Sequence, residues 1–218
     1  NGPLPRPPCG KVETPIARRR PMQVTKRYIS PSQLLEDAFA LGWQVFESGY
    51  YPDLIVAVWR GGTPVGIALL EFLDLLGIEA DHYAIRSLSY TGIGQRDEAV
   101  RVDGLDYLVA RAPATQRLLL VDDVHDTGLS LQQVVTELRA ACGADTPEIR
   151  LATPYFKPGN NRTGSAPDYF LHRTDDWLVF PHELEGLTVE EIAAHKPELA
   201  GLMDRLRAQL SDRHFSHK

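Results

Sequence analysis

The sequence predicts an α/β protein: a mostly parallel central sheet flanked by helices, followed by a small C-terminal hood. Two observations carry this. Short apolar runs of strand length alternate with helical patterns that end at glycine, the rhythm of β-α-β units. After Phe156 that rhythm breaks into a stretch rich in Gly, Pro and Asn and then two short aromatic runs. The 218 residues suffice for one domain with a substantial core. A composition of 43% hydrophobic and 24% charged residues is ordinary for a soluble globular chain.

Residues 1–21 stand apart, with six of the 16 prolines, the basic run Arg18-Arg19-Arg20 and no apolar periodicity. They read as a disordered leader or a non-native remnant, with Met22 as the native start and 22–218 as the folded unit. Ser30-Pro31-Ser32-Gln33 opens a helix: Ser30 caps, Pro31 suits the first turn and Gln33 completes a capping box. Leu34, Leu35, Ala38, Phe39, Val45 and Phe46 then share one face. Asp53–Trp59 is a buried strand, and Arg60-Gly61-Gly62 a tight turn. The next helix begins at Thr63-Pro64 and ends at Gly77. Glu79–Ile85 reads as a strand, Arg86–Gly104 as a long loop, and Tyr107–Ala110 as a returning strand.

Arg117–Val121 is the central strand, followed by a helix to Cys142 with Gly143 as its stop. Ile149–Phe156 is a further strand. Residues 157–187 largely form the hood, which holds the runs Tyr169–Leu171 and Trp177–Phe180, the second ended by Pro181. Helices over Thr188–His195 and Pro197–Leu210 close the chain, with capping signals at Thr188 and Glu191. No internal repeat is present.

Charge and cysteine content narrow the function. A net charge of −6 argues against a nucleic-acid binder that relies on overall positive charge. No apolar stretch is long enough to cross a bilayer as a helix. Cys9 and Cys142 are far apart and suggest neither a disulfide framework nor a zinc site. A reducing cytoplasm is the simplest location.

The most informative segment is Leu118–Leu131, LLLVDDVHDTGLSL. A buried strand ends in Asp122-Asp123, where open α/β sheets bind their ligands. Asp126-Thr127-Gly128-Leu129-Ser130 then opens a helix whose free N–H groups and positive dipole end suit a phosphate. Acids at a strand end are often inert, and Asp126 or Thr127 is also an ordinary N-cap. The acidic pocket of a receiver domain is a further reading, but its separate phospho-acceptor Asp and later Lys do not fall into place. Neither a Walker A loop nor a dinucleotide fingerprint is present. Acids for hydroxyls or metal beside amides for a phosphate suit a phosphorylated sugar. His125 reads as a solvent-facing spacer, and the remaining histidines form no set with zinc-ligand spacing.

Leu119–Leu131 closely resembles the thirteen-residue signature of type I phosphoribosyltransferases, two acids followed by D-T-G-x-[ST]. The resemblance runs from Met22 to Leu187, in the family's order, and is strongest to the hypoxanthine, guanine and xanthine enzymes. It implies transfer of ribose 5-phosphate from 5-phosphoribosyl-1-pyrophosphate (PRPP) to a 6-oxopurine, giving a nucleoside 5-monophosphate and pyrophosphate in purine salvage. By that resemblance Asp122 and Asp123 bind the ribose hydroxyls and help fix magnesium, and Thr127, Gly128, Leu129 and Ser130 hold the 5-phosphate. Asp126 faces the purine imidazole edge as a general acid/base.

Trp59-Arg60-Gly61-Gly62 becomes, by the same resemblance, the pyrophosphate loop, with Arg60 and Gly61 on the diphosphate, Arg60 also catalytic, and a cis peptide at Trp59–Arg60. Ser89-Tyr90 matches the Ser-Tyr pair of the flexible loop that closes over the reaction. Lys157 and Trp177, read singly, are a surface cation and packing. Together with Leu178 they resemble the purine hood: Lys157 donates to the 6-oxo group, Trp177 stacks, and the Leu178 backbone reads the base edge. Pro181-His182-Glu183 occupies the place of the family's Pro-x-Asp, so Glu183, directly or through water, joins Asp122 and Asp123 as a magnesium contact. The implied partners are PRPP and a purine base, with no nucleic acid or membrane, in a homodimer or homotetramer. Two other readings stay open: a PRPP-binding regulator without turnover, and a transferase for a different heterocyclic base.

Overall fold

In the computed structural model, residues 26–90 and 99–215 are described. The expected leader and the tip of the expected long loop, 91–98, lie outside them. The main sheet has five strands: β2 (Leu54–Trp59), β3 (Asp81–Tyr90), β4 (Ala99–Asp103), β5 (Arg117–Val121) and β7 (Glu148–Ala152), in the order β4-β3-β2-β5-β7. All neighbours are parallel except β4, which runs antiparallel to β3 at the edge. The α/β class and the mostly parallel sheet are therefore as expected.

Period-two alternation sorts the strand side chains onto two faces. Ile55, Leu119 and Val121 face α1 (Pro31–Glu47) and α2 (Gly62–Leu75), where Leu41, Val45, Leu69 and Leu73 are fully buried. Leu54, Val56, Leu118 and Leu120 face α3 (Leu105–Arg111) and α4 (Leu129–Cys142), through Leu108, Leu131, Val134 and Leu138.

Three expectations change here. The segment read as a loop from Arg86 is instead a hairpin, because β3 continues to Tyr90 and returns as β4. An edge strand in antiparallel pairing needs no continuous apolar run, so its polar alternation hid it. Tyr107–Ala110 is not a strand but lies inside α3. Gly104, at φ 97, ends β4, and Tyr107 then stacks on Tyr83 at 4.2 Å. The strand expected over Ile149–Phe156 splits: β7 ends at Ala152, and β8 (Tyr155–Phe156) joins a small sheet between β6 (Val124–His125) and β9 (His172–Arg173). The first aromatic run attaches to the main sheet, Tyr169 bridging to Ala152.

The stripe on α1 is also narrower than expected. Ser30 does cap, its Oγ accepting from Gln33 N at 3.1 Å. Gln33 Nε2 reaches forward to Asp37 Oδ1 at 2.9 Å, not back to the cap. Leu35 and Phe39 are exposed, and the buried line is Leu34, Asp37, Ala38, Leu41 and Val45. Asp37 has its company in the interior: Tyr155 Oη donates to it at 2.8 Å, and His172 Nε2 lies 2.8 Å away. That buried carboxylate ties α1 to the hood.

The second aromatic run forms β10 (Trp177–Val179), which pairs in parallel with β1 (Lys26–Tyr28). Next come α5 (Val189–His195), with its full Thr188–Glu191 capping box, a 3₁₀ segment (Pro197–Leu202) and α6 (Met203–Phe215). Among the described residues, no helix is long and apolar enough to cross a membrane.

Candidate active site

The carboxyl ends of β2, β3 and β5 converge. Trp59 is in register with Arg86, and Asp122 follows directly after Val121, its backbone N donating to Ala152 O at 3.2 Å. The peptide Trp59–Arg60 is cis. The turn after it lies hard against the acid pair. A Cβ on Gly61 would sit 1.9 Å from Asp123 Oδ2, and one on Gly62 would sit 2.5 Å from the Val121 carbonyl oxygen. Only glycine fits at either place, so the Arg-Gly-Gly turn and the Asp-Asp pair form one surface.

Asp122 Oδ1 accepts from Asp123 N at 3.0 Å. Asp122 is half-buried. Burial first, and the adjacent Asp123 carboxylate second, push its pKa well above the usual carboxylate range. Asp123 Oδ2 lies 3.4 Å from His182 Nε2.

Four residues on, the chain turns into α4. Gly128 is the N-cap, at φ 77, and Thr127 Oγ1 accepts from Leu129 N at 3.4 Å. His125 is not a solvent-facing spacer. It is 2% exposed, its ring meets Phe156 edge-on, and burial lowers its pKa. A Cβ on Gly128 would stand 2.4 Å from His125 Cε1. The imidazole therefore fills the space beneath the turn, which a side chain at 128 would also need. Among the described residues its Nδ1 has no hydrogen-bond partner.

The hood reaches this turn from the other side. Lys157 is buried, and its Nζ donates to Asp126 Oδ2 at 3.1 Å, while Asn160 Nδ2 donates to Asp126 Oδ1 at 2.8 Å. Lys157 N donates to His125 O and Arg162 N to Thr127 O, both at 2.9 Å. Both oxygens of Asp126 are thus engaged by hood residues.

Next to the acid pair, a cleft of about 930 Å³ opens between Arg60, Arg86, Asp123, Trp177, His182 and Glu183. Trp177 is 58% exposed into it. Leu178 buries its side chain, which leaves its backbone for any contact with a ligand. Arg60 is exposed, 3.9 Å from Glu185. Glu183 Oε2 accepts from Phe180 N at 2.9 Å, so one of its oxygens is already committed to the turn.

Comparison with known proteins places this arrangement. The phosphoribosyl transferase domain family matches residues 30–186. The chain belongs to that family. It is 28% identical to a xanthine-guanine phosphoribosyltransferase of Desulfotalea psychrophila, over 72% of this chain and 86% of that protein. A purine phosphoribosyltransferase structure from Pyrococcus horikoshii is 29% identical, with a TM-score of 0.57 over 75% of this chain and 97% of that one. A xanthine-guanine-hypoxanthine enzyme from Helicobacter pylori shares the fold, with a TM-score of 0.57 and 24% identity over 78% of this chain and the whole of that one.

Within this phosphoribosyltransferase fold, Asp122, Asp123, Arg60 and Gly61 lie together, as do Asp126, Lys157 and the turn from Thr127 to Ser130. Ser89 and Tyr90 have their backbone in β3, and their side chains are not among those described. Sequence reasoning missed three side chains that line the cleft: Arg86, His182 and Lys26. Arg86 follows Ile85 at the end of the expected strand, so the strand-end rule that found Asp122 would have found it. His182 and Lys26 had no local signal, since only tertiary pairing brings them there.

Proposed function

We propose that the chain transfers the 5-phosphoribosyl group of PRPP to a 6-oxopurine and releases pyrophosphate. The observation that carries this reading is the contact of Lys157 with Asp126. A buried ammonium meets a carboxylate two residues before the glycine that caps the N-terminus of α4. A 6-oxopurine offers both groups a partner: its carbonyl oxygen accepts from Lys157, and its imidazole edge gives a proton to Asp126. An adenine, with a donor at that position, would face Lys157 donor to donor. As N9 bonds to C1 and the C1–pyrophosphate bond breaks, the N7 proton passes to Asp126. The α4 N-terminus holds the 5-phosphate, Asp122 and Asp123 hold the ribose, Arg60 meets the departing pyrophosphate, and Trp177 stacks on the base.

Magnesium fits the acid pair. Burial first and the neighbouring Asp123 carboxylate second push Asp122 up, a cost that a divalent cation would relieve. Asp122 and Asp123 would hold it, with Glu183 reaching it through water. Among the described residues no set of three or more His, Cys, Asp or Glu side chains forms a metal site alone, so oxygens of PRPP would complete the shell. When bound, the ion would neutralise charge on the leaving pyrophosphate.

The test is pyrophosphate release with magnesium and PRPP across hypoxanthine, guanine, xanthine, adenine, uracil and orotate. Turnover confined to one or more 6-oxopurines is expected. Tight PRPP binding with no turnover on any base would overturn the enzyme reading, and turnover of orotate or uracil alone would overturn the purine.

A further inference from the structure

Residues beyond the family match hold part of the cleft in place. Lys196 lies between α5 and the 3₁₀ segment, ten residues past the end of that match at 186. Its side chain is 2% exposed. Nζ donates to the Phe180 carbonyl oxygen at 2.5 Å, across 16 residues. Burying an ammonium is unfavourable, and burial lowers the Lys196 pKa, with the Glu198 and Glu183 carboxylates opposing the shift. An apolar side chain would fill the same space with less penalty, so packing alone does not account for the lysine.

What the lysine grips is informative. Phe180 is held at both ends of its backbone: its N–H by Glu183 Oε2 at 2.9 Å, its carbonyl by the Glu183 N–H at 3.0 Å and, from outside the turn, by Lys196. The Phe180 ring stacks on His182 at 5.7 Å and meets Tyr155 edge-on at 5.7 Å. His182 in turn lies 3.4 Å from Asp123 Oδ2. A chain of contacts therefore runs from Lys196 through Phe180 to the two side chains, His182 and Glu183, that face the acid pair. Trp177 has a different support, since its strand β10 is laddered to β1.

We propose that Lys196 is a positioning residue for the PRPP side of the cleft: it fixes the Phe180–Glu183 turn, and through it His182 and Glu183, against Asp123. The proposal rests on the phosphoribosyltransferase reading for its kinetic consequence, but not for its structural one. Lys196→Met keeps the volume and removes the donor. Thermal stability should be unchanged or higher, because an unfavourable buried charge is gone. The KM for PRPP should rise about tenfold, the loss expected for one hydrogen bond to a charged group, while the KM for the base stays within about twofold. Lys196→Arg, which restores a donor, should recover part of the loss.

Hydrogen exchange supplies a readout independent of turnover. The Phe180 and Glu183 amides should lose protection in Lys196→Met, while that of Ile29, which donates to Val179 O at 3.0 Å, keeps its own. Should the Met variant fail to fold, Lys196→Gln carries the same two measurements. Unchanged exchange at Phe180 and Glu183, or an equal rise in both KM values, would overturn the clamp. Wild-type protein that turns over no base would sink the enzymatic reading instead, leaving the exchange result to decide the clamp on its own.

Discussion

The two sides of the cleft are built differently. The sheet side is made of backbone. Gly61, Gly62 and Gly128 approach Asp123, Val121 and His125 so closely that a single added carbon would collide. The hood side is made of side-chain reach: Lys157 to Asp126 across 31 residues, His182 to Asp123, and Lys196 to Phe180 across 16. Backbone surfaces tolerate almost no substitution but change little in shape. Side-chain bridges tolerate exchange and can differ among relatives that share the sheet. The phosphoribosyl end of the reaction belongs to the first kind and the choice of base to the second.

The largest expected effect lies where the two sides meet. Asp126→Asn keeps the shape and one acceptor but loses the proton-accepting carboxylate. Turnover should fall by about 10²- to 10⁴-fold. PRPP affinity should stay within about threefold, because phosphate and ribose contacts lie elsewhere. Single-turnover kinetics beside a PRPP titration separate the two, and an equal loss in both would deny Asp126 its proton-handling role.

A purely backbone change tests the sheet side. Gly128→Ala forces a left-handed conformation at φ 77 and drives a methyl group into the His125 ring. Stability should drop by about 2 kcal/mol and kcat/KM by about tenfold or more. Adding His125→Ala and Thr163→Ser removes the collisions, the second with a methyl 2.8 Å away, but not the conformational cost, so the combined variant should recover only part. Full recovery would mean that sterics alone constrain the turn. On the hood side, Lys157→Met should raise the KM for a 6-oxopurine about tenfold and leave that for PRPP nearly untouched. A rise in the PRPP term instead would place Lys157 with the sugar.

The same division explains what the sequence made legible. The strand–acid–glycine signature is contiguous, and each of its residues is dictated by a local event: a strand ends, a turn opens, a helix begins. Asp122, Asp123 and Gly128 could therefore be placed from order alone. The β3–β4 hairpin was hidden because an edge strand lacks a two-faced apolar run. His125 was misread because nothing in V-H-D says that a β6–β8 pairing will draw the ring inward under Gly128. Lys196 and His182 were invisible for a plainer reason: their partners, Phe180 and Asp123, are fixed only once hood and sheet pack together.

The smallest effect expected concerns the outer support of the hood. Lys26, at the start of β1, donates to Glu191 Oε1 at 2.5 Å, and Tyr28 Oη donates to the same atom at 3.1 Å. The Lys26 ammonium foremost, and the Thr188 N–H of the α5 cap after it, lower the Glu191 pKa from 4.5 to about 2. A carboxyl group depressed on folding stabilises the fold above its unfolded value, and that contribution disappears as pH falls through the folded one. The thermal midpoint of the wild type should therefore exceed that of Glu191→Gln by a small constant margin above about pH 5. The margin should shrink between pH 4.5 and about 2. Both partners are partly exposed, so added salt should also reduce it. Activity at neutral pH should change little, since Glu191 reaches the cleft only through Lys26, the residue paired with Trp177. A loss of base affinity in Glu191→Gln would instead show that β1 transmits to Trp177, and would erase the distinction between a hood held by its ladder and a turn held by Lys196.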